Sequence, residues 1–336
     1  MIFGAVEKQR LNVNGGNTMK KDVVALGELL IDFTGNGTSN QGNPLMEANP
    51  GGAPCNVLSM LTRLGKKTTF IGKVGDDMFG HRLEAALKEA GIGTEGLKFD
   101  TEIPTTLAFV HTKEDGDREF SFYRNPGADM MLCEADLNEN LIKECKIFHF
   151  GSLSMTDEIC EKATKRAIQL AKESGALLSY DPNLREPLWR SLEEAKEKIT
   201  YGMQQCDILK ISDNEIVWFT GTEDYEEGIR QLQETYHIPL ILLSLGKEGS
   251  RAYVQDVKAE VPAFIQCETI ETTGAGDTFC ACILNYVLEH GWKSYTEEEL
   301  TEMLTFANAA ASIITTRKGA LRVMPTKKEV EDLLRK

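Results

Sequence analysis

The chain has 336 residues, of which 41% are hydrophobic and 26% charged, and its formal net charge is -15. That length admits one large α/β domain or two small ones. The acidic balance excludes non-specific attraction to nucleic acid or to an anionic membrane surface, although a local group of amides and cations can still hold an anionic cofactor.

Residues 1–18 lack the apolar core and cleavage site of a secretory signal. They read as an extension, disordered or vector-derived, with Met19 opening a domain over 19–336. No apolar run is long enough to span a bilayer. Residues 23–26 read as a buried strand and 57–64 as a helix after a Gly-rich turn. Residues 69–72 read as a strand, and 79–90 as a helix that stops at Gly91. Residues 105–111 and 118–124 read as two strands joined by Lys113-Glu114-Asp115-Gly116-Asp117, since Asp-Gly is a hairpin turn signal. A hairpin with a greasy face must cover something, either a site or a second subunit. Residues 147–150, 177–181, 208–212 and 240–244 are further strands, and 158–173 is a helix. Short apolar strands alternating with helices imply an α/β fold, with a mostly parallel sheet covered on both faces. The eight cysteines form no CxxC pair and have no histidine at zinc spacing, so they read as reduced thiols of a cytoplasmic protein.

The strongest chemical signal is Thr273-Gly274-Ala275-Gly276-Asp277, followed by apolar residues at helical spacing. Small residues let a ligand approach the backbone. Free N–H groups and the helix dipole then make an anion site. Asp277, in the first turn, is placed to orient a hydroxyl for attack on a phosphoryl group. An ordinary Gly-rich turn with an N-terminal Asp would look the same locally. Gly51-Gly52-Ala53-Pro54-Cys55-Asn56 also precedes a helix, and Asn56 offers both donor and acceptor to a polyol. Upstream, Glu28 and Asp32 end an apolar strand, where ligands of open sheets gather. Asn183 and Arg185 alternate on an extended segment after a strand, and Arg185 suits phosphate or a sugar oxygen. Lys210 and Glu215 stand at a strand-to-helix junction, with Glu215 suited to ordering water around Mg²⁺. Ser244, Gly246 and Gly249 form a loop suited to nucleotide contact.

Gly91-Ile92-Gly93-Thr94-Glu95-Gly96 spells the dinucleotide fingerprint, but it follows a helix and does not open one. No GxxxxGK[ST] sequence is present, which argues against a P-loop kinase.

Together these motifs resemble the ribokinase (PfkB-type) carbohydrate kinase family over about residues 22–330. Gly51-Gly52-x-x-x-Asn56, with Gly65 and Gly75 beyond, looks like its first signature, and Thr273–Phe279 like its second. The resemblance implies a three-layer fold with a small β lid over about 105–124. It implies Asp277 as base, with the amides of Gly274, Ala275 and Gly276 as anion hole. Asp32, Gly51, Gly52 and Asn56 match sugar positions, while Arg124, Asn183 and Arg185 are further candidates. Lys210, Ser244, Gly246, Gly249 and Asn308 are the nucleotide candidates, and Glu215 is an indirect Mg²⁺ residue acting through water. Ser212 stands where the family usually has Asn, and Leu58 where a small residue is usual. ATP and Mg²⁺ are the implied cofactors, with K⁺ common among members, and the lid often pairs into a homodimer. The segments 51–57, 123–129 and 181–189 look most like fructokinases, implying conversion of D-fructose to fructose 6-phosphate. Kinases for 2-keto-3-deoxygluconate are the alternative, in which Arg124 or Arg185 would pair with a sugar-acid carboxylate. From another class, the alternative is a non-catalytic sugar or nucleotide sensor.

Overall fold

The computed structural model describes residues 21–112, 118–266 and 269–335. The extension before Met19, the turn at 113–117 and Cys267 lie outside the described residues. The first half of the chain runs β1 (Lys21–Leu26), β2 (Leu30–Thr38), β3 (Pro44–Gly51), α1 (Ala53–Arg63), β4 (Thr68–Gly75) and α2 (Met78–Glu89). Next come β5 (Gly93–Asp100), β6 (Leu107–Thr112), β7 (Arg118–Tyr123), α3 (Glu139–Lys143) and β8 (Cys145–Gly151). The second half runs α4 (Glu158–Glu173), β9 (Leu177–Asp181), α5 (Leu192–Gln205), β10 (Ile208–Ser212), α6 (Asp213–Thr220) and α7 (Tyr225–Tyr236). It ends with β11 (Leu240–Ser244), β12 (Ser250–Val254), β13 (Val257–Val261), α8 (Ala275–His290), α9 (Glu297–Ile314) and α10 (Lys327–Leu334).

Nine strands form one sheet in the order β13-β12-β11-β10-β9-β8-β1-β4-β5. From β11 to β5 every pairing is parallel, while β12 and β13 add an antiparallel edge. Side chains alternate across the sheet, so each strand feeds two cores. Val23 and Ala25 of β1 join one core with α1, α2, α8 and α9. Val24 and Leu26 join the other with α4, α5, α6 and α7. Three layers follow from the near-continuous apolar strands, because both faces must be covered. Among the described residues no helix is long and apolar enough to cross a membrane.

The lid is larger than the expected hairpin. β6 and β7 do pair antiparallel, but β2 and β3 join them in a four-stranded sheet ordered β3-β2-β6-β7. Asp32 therefore belongs to the lid and not to the end of a central strand, which corrects the sequence expectation. β2 and β3 were hidden because they carry glycines and a proline and are half exposed, leaving no apolar run. The fingerprint-like glycines Gly93 and Gly96 sit in β5, where Gly96 packs 2.6 Å (measured from an ideal Cβ) from the Phe70 carbonyl oxygen.

Asp77 ties the lid to the main body. Its Oδ1 accepts hydrogen bonds from the Gly80 N–H and the Thr105 hydroxyl, each at 2.8 Å, and Oδ2 accepts from the Thr105 N–H at 2.8 Å. These bonds cap α2 and fix the entry to β6 at once. Asp77→Ala should lower unfolding free energy by about 2 kcal/mol, from a lost cap and unpaired amides. The change should appear as a lower urea midpoint at unchanged m-value.

Candidate active site

A cleft of about 470 Å³ opens where the lid faces the C-terminal ends of the parallel strands. Glu28, Asp32, Gly52 and Asn56 line it from one side. Lys210, Ser212, Asp213, Glu215, Ser244 and Gly246 line another part. Asn183, Arg185, Gly274, Gly276 and Asp277 also face it, so residues from six distant stretches of chain meet.

Two helix N-termini converge here. Pro54 in the first turn of α1 suits a position whose N–H has no helical partner. Gly52 adopts φ 123°, and a Cβ there would overlap the Glu28 carbonyl, so only glycine fits. A Cβ on Gly51 would overlap Asp32 Oδ2, so that glycine makes room for a carboxylate that faces the cleft. At the other helix, Gly274 caps α8 in the left-handed region, φ 79°. The Ala275 N–H donates to the Thr272 carbonyl at 3.2 Å and Ala275 does not line the cleft. Among the three expected anion-hole residues, Gly274 and Gly276 face the cleft and Ala275 does not.

Asp277 is half-buried on the cleft wall. Burial raises its pKa, opposed by a hydrogen bond from Asn56 and by the nearby charge of Lys210. Asn56 Nδ2 donates to Asp277 Oδ2 at 2.8 Å, while Asn56 Oδ1 has no partner among the described residues. That oxygen is enclosed in this structure, so its capacity as an acceptor is unmet. Lys210 Nζ lies 3.1 Å from Asp181 Oδ2 and would stand 3.3 Å from a Cβ on Gly276. Its ammonium is thus beside the cradle. Burial opposes the Lys210 charge, but Asp181 and Glu215 outweigh it and raise its pKa. For Asp181, burial dominates over Lys210 and raises the pKa to about 6.

Glu215 is also engaged. Its Oε1 accepts from the Leu184 N–H and its Oε2 from the N–H and hydroxyl of Ser212, each at 2.8 Å. Ser212, where the family has Asn, caps α6 in a reciprocal box with Glu215. Burial raises the Glu215 pKa, but Lys210 and these donors lower it overall.

Several candidates sit elsewhere. Arg124 does not line the cleft: it is 8% exposed, 2.7 Å from Asp129, and bonded to Thr156 and the Leu153 carbonyl. A buried cation must be paired, and this one is. Asn308 bonds to Ser250, Val261 and Pro262, bracing α9 against β12 and the end of β13. Gly249 is packed against Val261 and does not face the cleft. Asn183 is not extended as expected, since its φ is 46° and its N–H turns back to Asp181 Oδ1 at 3.1 Å.

Glu28, which the sequence placed at a strand end but gave no role, and Asp181 were not assigned to the site from the sequence. Glu28 Oε1 accepts from the Ala53 N–H at 2.9 Å, capping α1 from the cleft wall. Its signal was a carboxylate just past an apolar strand. The pairing of Asp181 with Lys210 on the next strand had no local signal, although Lys210 itself was a candidate.

The family description "pfkB family carbohydrate kinase" matches residues 20–327. A relative from Arabidopsis thaliana named "Probable fructokinase-4" is 43% identical over 321 residues, covering 95% of this chain and 98% of that protein. A fructokinase from Xylella fastidiosa, solved with bound ATP, superposes with TM-score 0.86 at 30% identity, covering 94% of this chain and 99% of its own. Two Vibrio cholerae O395 fructokinase structures hold fructose and ADP, a double mutant with potassium and another with calcium. Their TM-scores are 0.83 and 0.84, at 28% and 29% identity, with the same shares covered.

Burial pushes the Glu28 pKa from 4.5 to about 7. Between those values the folded protein holds a proton that the unfolded chain has released. Stability therefore falls as pH rises through that window and is least above it. Glu28→Gln should raise stability at pH ~8 by up to about 3 kcal/mol and give no gain below pH ~4. Denaturant melts at the two pH values check this.

Proposed function

The chain belongs to the pfkB family of carbohydrate kinases, and we propose that it transfers the γ-phosphoryl group of ATP to the 6-hydroxyl of D-fructose, giving ADP and fructose 6-phosphate. The observation that carries the mechanism is the half-buried Asp277 at the N-terminus of α8, facing the cleft, bonded to Asn56 and flanked by Gly274, Gly276 and Lys210. Identity of 43% to a probable fructokinase over nearly the whole chain supports the sugar.

Fructose lies under the lid against Asp32, Gly52 and Asn56. Its hydroxyl faces Asp277. An ordinary aspartate is too weak a base to deprotonate an alcohol in the ground state. Asp277 instead orients the hydroxyl and accepts its proton as the new O–P bond forms and the bond to the ADP oxygen breaks. A pKa raised by burial makes it a better late acceptor. The Gly274 and Gly276 amides and the Lys210 ammonium offset charge on the transferring group. Asp181 and Glu215 hold Lys210 there. Ser244 and Gly246 line the nucleotide side.

Mg²⁺ bound to the nucleotide supplies further charge neutralisation. Among the described residues no three acidic, histidine or cysteine groups form a metal cage. Asp213 and Glu215 line the cleft and would order water around a Mg²⁺ carried by the nucleotide, an ion that usually keeps several waters. We extend K⁺ to this chain from the potassium-bound Vibrio structure. A sugar acid would need a cation, and with Arg124 engaged by Asp129 that role would fall to Arg185, which lines the cleft; the preference for fructose rests on the 43% identity to a probable fructokinase. Tyr123 is 67% exposed on the lid and the Leu45 and Met46 side chains are also exposed. This supports pairing of two lids. The seven described cysteines are free thiols, consistent with a cytoplasmic enzyme.

ADP release with Mg-ATP and K⁺ should favour fructose over 2-keto-3-deoxygluconate, ribose and glucose. Preference for another sugar overturns the substrate, and silence on the panel by folded protein overturns catalysis. Asp277→Asn should lower turnover by roughly 10³-fold, with nucleotide affinity near wild type. Wild-type turnover should fall on acidification through a pKa above the ordinary aspartate value of 3.8, since Asp277 must be ionised.

A further inference from the structure

Residues 182–185 follow β9 with no regular structure, yet Asn183 and Arg185 both line the cleft. Such a segment has no ladder of its own, so its accuracy depends on where its backbone hydrogen bonds go. Three successive residues are tied. The Pro182 carbonyl accepts from the Ser152 hydroxyl at 2.5 Å and from the Ser152 N–H at 3.3 Å. The Asn183 N–H donates to Asp181 Oδ1 at 3.1 Å. The Leu184 N–H donates to Glu215 Oε1 at 2.8 Å. Only the last of these bonds reaches across to α6.

The capping box of α6 accounts for one oxygen of Glu215 and not for the other. The Ser212 N–H and hydroxyl both donate to Oε2, each at 2.8 Å. They aim the carboxylate and leave Oε1 for a residue 31 positions away. A helix cap does not require that second bond. Its effect is to fasten the segment to the helix.

Arg185 comes next in the chain. Its Nη1 donates to the Leu184 carbonyl at 3.0 Å, so the guanidinium folds back on the residue that Glu215 holds. Lys210 is paired with Asp181 and Arg124 with Asp129. Among the described residues no carboxylate pairs with Arg185, which keeps its charge available to the cleft. Desolvation raises the Asp277 pKa, and Asn56, Lys210 and Arg185 oppose it. The Arg185 charge is therefore felt at the reacting end.

We infer that Glu215 is a positioning residue for phosphoryl transfer: through the Leu184 N–H it holds the 182–185 segment so that Arg185 presents its charge to the transferring group. This rests on the kinase reading above. Ordering water around a nucleotide-bound ion needs only a negative charge at this place, whereas the clamp needs the full reach of a glutamate.

Glu215→Asp separates the two roles, because it keeps the charge beside Lys210 and withdraws the carboxylate from Leu184 by one methylene. In fructose-dependent ADP release it should lower kcat at least about tenfold, as misplacement of a transition-state contact does. The KM for fructose and the Mg²⁺ dependence should be unchanged. Arg185→Ala should lower kcat about 10²-fold. Adding Glu215→Asp to it should cost nothing more, since the clamp then has no guanidinium to aim. Hydrogen exchange read by mass spectrometry needs no turnover, and in Glu215→Asp it should quicken in the peptide over 182–188 while the core strands keep their protection. Ser212→Ala, which removes one of the donors that aim the carboxylate, should do the same more weakly and serves if Glu215→Asp folds poorly. Wild-type kcat in Glu215→Asp, losses that add to those of Arg185→Ala, or a rate restored by raised Mg²⁺ each overturns the inference. Unchanged exchange over 182–188 overturns the clamp itself. Wild-type protein that releases no ADP overturns the kinase reading instead, while the exchange comparison still decides whether Glu215 holds the segment.

Discussion

The hydrogen bond from Asn56 to Asp277 joins residues 221 positions apart and brings two helix N-termini onto one point. Each terminus exposes unpaired N–H groups and the positive end of a helix dipole. An anion and a polar acceptor can therefore be held side by side with little further apparatus. The bond also constrains the geometry of everything near it. It fixes the Asp277 rotamer and leaves the Asn56 oxygen as an unpaired acceptor. It depends in turn on the packing of α1 against α8 in the larger of the two cores.

Around that point the protein buries charge in pairs. Lys210 stands between Asp181 and Glu215, and Arg124 against Asp129. Such pairs add little net stability, because desolvation offsets most of their attraction. Their contribution lies in placement. Lys210 is held beside the glycine cradle by Asp181, so in the proposed transfer it would need no reorganisation. Arg124 serves differently. It locks residues following β7 to the turn around Leu153, which itself lines the cleft. The buried guanidinium thus shapes the sugar side without touching it.

The lid has a related economy of parts. β2 and β3 leave the main sheet directly after β1, and β6 and β7 leave it after β5. The two excursions meet as one sheet, so Asp32 and Phe122 face the cleft from a single surface. Asp77 and Thr105 fasten that surface to α2.

The sequence by itself determined the layered architecture, because alternation of short apolar strands with amphipathic helices is a local pattern. It likewise marked Gly274, Gly276, Asp277, Gly52 and Asn56 as candidates, although each glycine-rich helix start alone looks like an ordinary turn and only the two in order along the chain resemble a family's paired signatures. Tertiary structure alone decided what each charge meets. Arg124 and Arg185 look equivalent in sequence, yet one is buried against Asp129 and the other lines the cleft. Asn308 looks like a ligand but braces β12 and the end of β13. β2 and β3 have no apolar run, and only pairing with β6 makes them a sheet. Periodicity and turn chemistry are set by neighbours in the chain, whereas ion pairs and strand partners are set by which segments the fold brings together, 29 positions apart for Asp181 and Lys210 and 76 for Asp32 and Ala108.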